Sequence, residues 1–139
     1  MPKLGKSGLV LEAFVLLRIT RVGLRLCHFQ RIRRLLSLVA RCGRRVIRRK
    51  ISPARLVWAL ESAKSRNSSA GNCLTEALTA EVLFKQFGYE PVLCIGAAKH
   101  NGKFAAHAWL EHDQVVMVGG PEAHIREFSR FQDTSKKVL

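Results

Sequence analysis

Residues 72–111 read NCLTEALTAEVLFKQFGYEPVLCIGAAKHNGKFAAHAWLE, and this stretch decides the fold because its hydrophobic period changes part-way along. In the first half, apolar residues fall at i, i+4 and i+8, which is the spacing of one helix face. The residues that set this spacing are Leu74, Leu78 and Val82. We therefore predict a helix from about Asn72 to Phe87 that ends in a left-handed cap at Gly88.

The second half of the stretch is apolar and alternating, which is typical of β-strands. We predict strands at residues 91–98 and 103–111, joined by a hairpin turn at His100-Asn101-Gly102 because the Asn-Gly pair tolerates positive φ. A polar turn at residues 112–114 leads to a third strand at residues 115–118. A helix followed by a small antiparallel sheet predicts the α+β class.

The flanks of this core carry their own signals. Ser52-Pro53 is typical of a helix start, with serine as the N-cap and proline at the first helical position. The buried face of that helix is expected to consist of Leu56, Leu60 and Ala63, and residues 66–71 are a polar loop. Beyond the sheet, a short helix is predicted to pack on the core through Ile125, Phe128 and Phe131.

The first 50 residues form a basic amphipathic arm. A helix is predicted at residues 9–29, with a second short helix to about Arg41, a stop at Gly43 and a basic linker at residues 44–50. Its apolar stripe consists of Val15, Ile19, Val22, Leu26 and Phe29. Such a stripe packs on the domain, the commoner outcome, or lies on a membrane surface.

Charge divides the chain in the same place. The sequence has 24 Lys and Arg against 10 Asp and Glu, and residues 1–50 hold 14 of those bases but one acid, Glu12. We therefore expect an arm at residues 1–50 and a globular domain at residues 51–139. An arm this basic is attracted to nucleic acid, anionic lipid or an acidic partner, unless it is simply a solvated helix face.

The chain is expected to be intracellular. Charged residues interrupt the apolar stretches before any of them reaches the length that a membrane span needs. No cleavage site for a signal peptide follows the apolar segment. The four cysteines are therefore expected to remain thiols rather than disulfides. No cysteine or histidine spacing predicts a zinc site.

Cys73 and His107 are the candidate catalytic pair. Cys73 falls at the first turn of its predicted helix, where the helix dipole and unpaired N–H groups favour the thiolate and the Cys73 amide can serve as an oxyanion donor. His107 shares a strand face with Trp109, and its small neighbours leave room beside the ring. A thiol and an imidazole together form a nucleophile and its base. Taken alone, Cys73 is equally compatible with simple packing, and an isolated histidine such as His107 is more often a half-buried residue satisfied by a carbonyl.

These residues resemble the lasso-peptide leader peptidases, small transglutaminase-like cysteine proteases of bacterial lasso-peptide gene clusters. The matching segments, in the order and spacing of that family from about Ser52 to Phe131, are residues 72–78 (NCLTEAL), 87–89 (FGY), 93–97 (LCIGA) and 104–111 (FAAHAWLE). The resemblance implies a transglutaminase-like (papain-like) core, with helices on a small antiparallel sheet and a basic helical segment in front. It implies Cys73 as nucleophile, His107 as base and acid, and no metal or cofactor.

The resemblance also implies a substrate and partners. Such enzymes remove the leader of a ribosomally made precursor, with a leader-binding protein that is here separate and an asparagine-synthetase-like macrolactam synthetase. The expected location is the cytoplasm, either free or peripheral at the inner membrane face through residues 1–50. Many relatives have an orienting Asp twelve positions after the histidine, where this chain has Gly119. Glu111, Asp113, Glu122, a backbone carbonyl or water are the substitutes considered.

Three other functions remain open. The same site could transfer the acyl group to an amine instead of water. The chain could be a non-catalytic module whose arm binds nucleic acid or anionic membrane, although no aromatic-interleaved basic platform predicts specific nucleic-acid binding. The arm could also dock the leader-binding protein or the synthetase.

Overall fold

The computed structural model describes residues 6–46, 51–66, 73–119 and 129–133. Four helices precede a four-stranded antiparallel sheet, which confirms the α+β class. The elements are α1 (Lys6–Leu26), α2 (Phe29–Val46), α3 (Pro53–Ser65), α4 (Cys73–Gln86), β1 (Val92–His100), β2 (Lys103–His112), β3 (Val115–Val118) and β4 (Ser129–Asp133).

α4 is the central helix and contacts every other helix and the sheet. It is buried along most of its length, and its end is capped as predicted. Gly88 has φ +87°, its N–H donates to Lys85 O at 3.1 Å, and the N–H of Tyr89 donates to Phe84 O at 3.0 Å. These two bonds form a Schellman motif, which satisfies carbonyls that the helix leaves unpaired.

The sheet has the strand order β3-β2-β1-β4. The predicted hairpin between β1 and β2 is confirmed, with His100 opposite Lys103 and positive φ at Asn101 and Gly102. The turn into β3 also has positive φ at both of its residues, Asp113 and Gln114. Two tight turns therefore fix the register that places His107 opposite Gly96.

The expected helix at the C-terminal end is wrong for the residues described. Phe131 lies in β4, which pairs antiparallel with β1 beside Cys94 to Ala97. Ile125 and Phe128 lie outside the described residues. The i, i+3 spacing of the two phenylalanines suggested a helix, but pairing with the open edge of β1 satisfies a row of backbone hydrogen-bonding groups.

α1 packs with the face opposite to the predicted stripe. Val15, Ile19, Val22 and Leu26 are 44–78% exposed, together with Leu11. The buried residues of α1 are Leu9, Val10, Ala13, Leu16, Leu17 and Thr20. The helix thus has two apolar faces, and α1 packs against α3 and α4. Phe29 is the first residue of α2, because the helix is interrupted at Cys27-His28.

The arm and the rest of the chain share one hydrophobic core. Ile32, Leu36 and Ala40 of α2 are buried in the same cluster as Leu78 and Leu83 of α4. Arg33 Nη2 lies 3.7 Å from Oε2 of the buried Glu81, so an ion pair also joins α2 to α4. The boundary at residue 50 stays a prediction. In the part of the chain that the structure describes, no helix is long and apolar enough to cross a bilayer.

α3 begins at Pro53 and buries Leu56, Leu60 and Ala63, as predicted. Ser52 is the N-cap residue, as predicted, but its side chain makes no capping hydrogen bond. The Ser52 carbonyl instead accepts from the N–H groups of Arg55 and Leu56. Proline at the first helical position has no N–H group. One fewer backbone donor at the start of α3 therefore needs a hydrogen bond from the serine side chain.

Candidate active site

Cys73 is the first residue of α4 and is partly exposed. Its backbone therefore belongs to the turn whose N–H groups have no partner within the helix. The side chain packs at the margin of the main hydrophobic cluster. The thiol is thus placed at the positive end of a helix dipole, where a thiolate is stabilised.

His107 lies in the middle of β2, is half-buried, and has a defined hydrogen bond. Its Nε2 lies 2.6 Å from the carbonyl oxygen of Gly119, just beyond β3. A carbonyl only accepts hydrogen bonds, so the proton of this bond belongs to Nε2. In the neutral ring Nδ1 is then the nitrogen that carries the lone pair.

Trp109 stacks against the imidazole ring of His107. The two rings stack with centroids 6.1 Å apart and an interplanar angle of 20°. The indole is buried against Cys94, and its Nε1–H donates to Glu111 Oε1 at 3.0 Å. The predicted shared face of His107 and Trp109 is therefore observed, and Glu111 contacts the indole.

Gly119 has no room for a side chain. A Cβ built on it would lie 2.4 Å from Trp109 Cβ and 2.9 Å from Trp109 Cα. Its φ of +123° is also a conformation that residues with a side chain rarely adopt. A residue with a side chain could therefore not occupy position 119 unless its neighbours or the backbone of this turn moved.

α4 packs directly on β2, and one ring contact fixes their relative position. Phe84 and His112 have centroids 6.0 Å apart. From there, the rise of a helix back to Cys73 and that of a strand back to His107 are both about 16 Å. A helix that continues alongside β2 would therefore bring Cys73 level with His107.

The two faces of β2 are covered differently. Ala108 and Leu110 lie in the main cluster with the helices, whereas His107 shares its face with Trp109 and Glu111. The Cys73 side chain also packs against this main cluster. Opposite His107 in β1 is Gly96, which carries no side chain. The pairing of Cys73 with His107 stays a prediction.

The remaining candidates are distributed elsewhere. Asp113 is exposed in the turn after β2 and lies 3.4 Å from His112, and Glu122 is outside the described residues. All four cysteines are described, and none forms a disulfide. Cys94 is buried beside Trp109, while Cys42 is exposed on α2. Within the described ranges, no group of three His, Cys, Asp or Glu residues is placed to hold a metal ion.

A family comparison covers most of the chain. The sequence profile of the transglutaminase-like superfamily matches residues 15–132, which include the second half of α1, all of α2 and both candidate residues. The chain belongs to the transglutaminase-like superfamily. No curated protein and no solved structure matches the chain.

Membership of the transglutaminase-like superfamily makes a cysteine protease or acyltransferase chemistry the common expectation. The match begins within α1, well before Ser52. The matched residues therefore include most of the basic helices.

Sequence reasoning left one participant in this site unidentified and missed the role of another. A backbone carbonyl was considered as the partner of His107, but its residue was not identified, because backbone acceptors leave no sequence signal. Glu111 was assessed only as a partner of His107, although its i+2 spacing from Trp109 on one strand face pointed to the indole.

Proposed function

We propose that this protein is a cysteine endopeptidase that removes the leader from a ribosomally made lasso-peptide precursor. The proposal is supported by the superfamily, by the four segments that resemble leader peptidases, and by one observation above the others. His107 donates from Nε2 to a carbonyl, so its other nitrogen has the lone pair that a thiol needs as a base.

Acylation begins when Nδ1 of His107 takes the proton of the Cys73 thiol. The thiolate attacks the scissile carbonyl carbon, and the carbonyl oxygen becomes an oxyanion that the Cys73 backbone N–H stabilises. The protonated Nδ1 then gives its proton to the leaving nitrogen. The C–N bond breaks, the downstream peptide departs with a new amine, and the leader stays on sulfur as a thioester.

Deacylation repeats these roles with water. Nδ1 removes a proton from water, the hydroxide oxygen attacks the thioester carbon, and the sulfur leaves and recovers the proton. The amine released in the first stage is the group that a macrolactam synthetase would join to a side-chain carboxylate. A separate leader-binding protein would deliver the precursor, and the reaction would take place in the cytoplasm.

The decisive experiment is incubation with a candidate precursor, with and without its leader-binding protein, followed by mass spectrometry. Cys73→Ala and His107→Ala should each abolish cleavage while the circular dichroism spectrum is kept. Cys42→Ala is the matched control, because this exposed thiol lies on α2 and should be dispensable. Cleavage by Cys73→Ala would end the proposal, and a product that lacks the added water would indicate acyl transfer to an amine.

We propose in addition that α1 lies on an anionic membrane surface. Five aliphatic side chains project from α1 into solvent: Leu11, Val15, Ile19, Val22 and Leu26. Arg18 and Arg25 are exposed along one edge of this row, and Arg31 and Arg34 are exposed on α2. Insertion of aliphatic groups between lipid headgroups, with arginines at the phosphates, suits a convex helix face. Each basic residue near such a surface contributes about 1 kcal/mol.

Co-sedimentation with phosphatidylglycerol vesicles tests the membrane proposal against phosphatidylcholine vesicles. Binding should require the anionic lipid and should weaken with Ile19→Gln, Leu26→Gln or Arg25→Gln. Phe104→Gln, at an exposed site on the hairpin, should bind as the wild type does. Equal binding by all variants, or salt-sensitive binding to nucleic acid alone, would refute it.

A further inference from the structure

We infer that the backbone carbonyl of Gly119 is the positioning group of His107, in the place of a side-chain carboxylate, and that Trp109 prevents an acid from taking that role at position 119. The inference deepens the proposed function and rests on it. It concerns how the base is held, since the hydrogen bond lies on the side of the ring away from Nδ1.

A carbonyl can select one tautomer of histidine. A carboxylate or a carbonyl only accepts a hydrogen bond from Nε2–H, whereas a hydroxyl or water could either donate or accept one. At 2.6 Å, Gly119 O would lose its partner and face a lone pair if the proton moved to Nδ1. The hydrogen bond therefore holds the ring in the form, and in the orientation, that general-base catalysis needs.

The carbonyl supplies less than an acid would. It has a dipole but no net charge, so it stabilises the imidazolium that forms after proton transfer less than a carboxylate does. The carbonyl therefore orients the imidazole ring but stabilises the charge of the imidazolium only in part. An enzyme of this design is expected to work more slowly than relatives with an acid.

Position 119 cannot recover the acid by a single substitution. Any side chain begins with Cβ, and that atom would meet the backbone and Cβ of Trp109 at 2.9 and 2.4 Å. Trp109 cannot easily move away, because its indole is buried, stacks on the His107 ring and donates a hydrogen bond to Glu111. The same tryptophan therefore packs the imidazole and occupies the space that a residue 119 side chain would need.

The tautomer can be measured without any substrate. In the Cys73→Ala protein labelled with ¹⁵N-histidine, long-range proton–nitrogen NMR spectra at pH 8 should show a protonated Nε2 and an unprotonated Nδ1 for His107. The spectrum is assigned by the missing signals of a Cys73→Ala/His107→Gln protein. A ring protonated at Nδ1, or an equal mixture of the two tautomers, would overturn the inference.

Two substitutions test whether position 119 tolerates a side chain. Gly119→Asp should lower the rate of cleavage at least tenfold and not raise it, and Gly119→Ala should do the same because both add Cβ. Faster cleavage by Gly119→Asp than by the wild type would overturn the inference. Because these variants could fold poorly, Glu111 provides a milder change: Glu111→Leu should increase the fraction of the wrong His107 tautomer, and Glu111→Gln, which keeps an acceptor oxygen for Trp109, should restore the correct one.

These readouts separate the two proposals. A protonated Nε2 in a protein that cleaves no precursor would leave the positioning role intact and remove the proposed function. Cleavage that depends on Cys73, combined with a proton on Nδ1, would support the peptidase and refute the role of the Gly119 carbonyl.

Discussion

Replacement of Leu17 or Ile19 by alanine tests which face of α1 is packed. Leu17 is 3% exposed and lies in the core, whereas Ile19, two residues away, is 50% exposed. A buried Leu→Ala substitution costs about 2–5 kcal/mol, since contacts are lost and a cavity remains. At a half-exposed helix site the loss is smaller and the helix preference of alanine offsets part of it, so Ile19→Ala should stay within about 0.5 kcal/mol.

Urea unfolding followed by circular dichroism measures both variants at equal slope m. The expected result is a difference of at least about 1.5 kcal/mol in the free energy of unfolding, with Leu17→Ala the less stable protein. The opposite ranking would refute the packing of α1. It would also remove the basis for the membrane proposal, because the stripe would then be the buried face.

Three further results are expected. Burial raises the pKa of Glu12, so its ionisation opposes folding: stability from this group is greatest at acid pH and falls as pH rises through the folded-state pKa. Glu12→Gln should therefore stabilise the protein at pH 7, and thermal melts should show that this gain shrinks towards pH 4. A gain that stays the same at pH 4 would contradict the burial of Glu12. Gly88→Ala should lower the free energy of unfolding by about 1–2 kcal/mol, because φ is +87° there, and an unchanged urea midpoint would show that the cap tolerates Cβ. Partial burial lowers the pKa of Lys64, but the hydrogen bond and charge of Glu76 outweigh it and raise the pKa overall, so Glu76→Gln should lower the Lys64 pKa in an NMR titration unless Glu61 replaces the lost partner.

Most of the fold could be predicted where local pattern and tertiary packing agree. The helix from Cys73, the Asn101-Gly102 hairpin and the cap at Gly88 each depend on a short-range rule, namely periodicity, turn chemistry and left-handed φ. These three rules also place Cys73 at a helix start and His107 on a strand. That is why the candidate site residues could be proposed from sequence.

The errors lie where one pattern satisfies two structures. α1 has an apolar stripe and a second apolar face, and only contact with α3 and α4 decides between them. β4 was mistaken for a helix because its pairing partner, β1, is distant in sequence. A backbone carbonyl was among the partners considered for His107, but the sequence could not assign that carbonyl to Gly119, since its direction is set by backbone torsion.

The position of β4 has a practical consequence for shortened forms of this protein. β4 occupies the outer side of β1, so a chain cut before Ser129 would present unsatisfied amide and carbonyl groups along Cys94 to Ala97. Bare strands of this kind recruit whatever extended backbone is nearby, including another molecule of the same sequence. Trimming the C-terminus to improve solubility would therefore have the reverse effect and promote self-association.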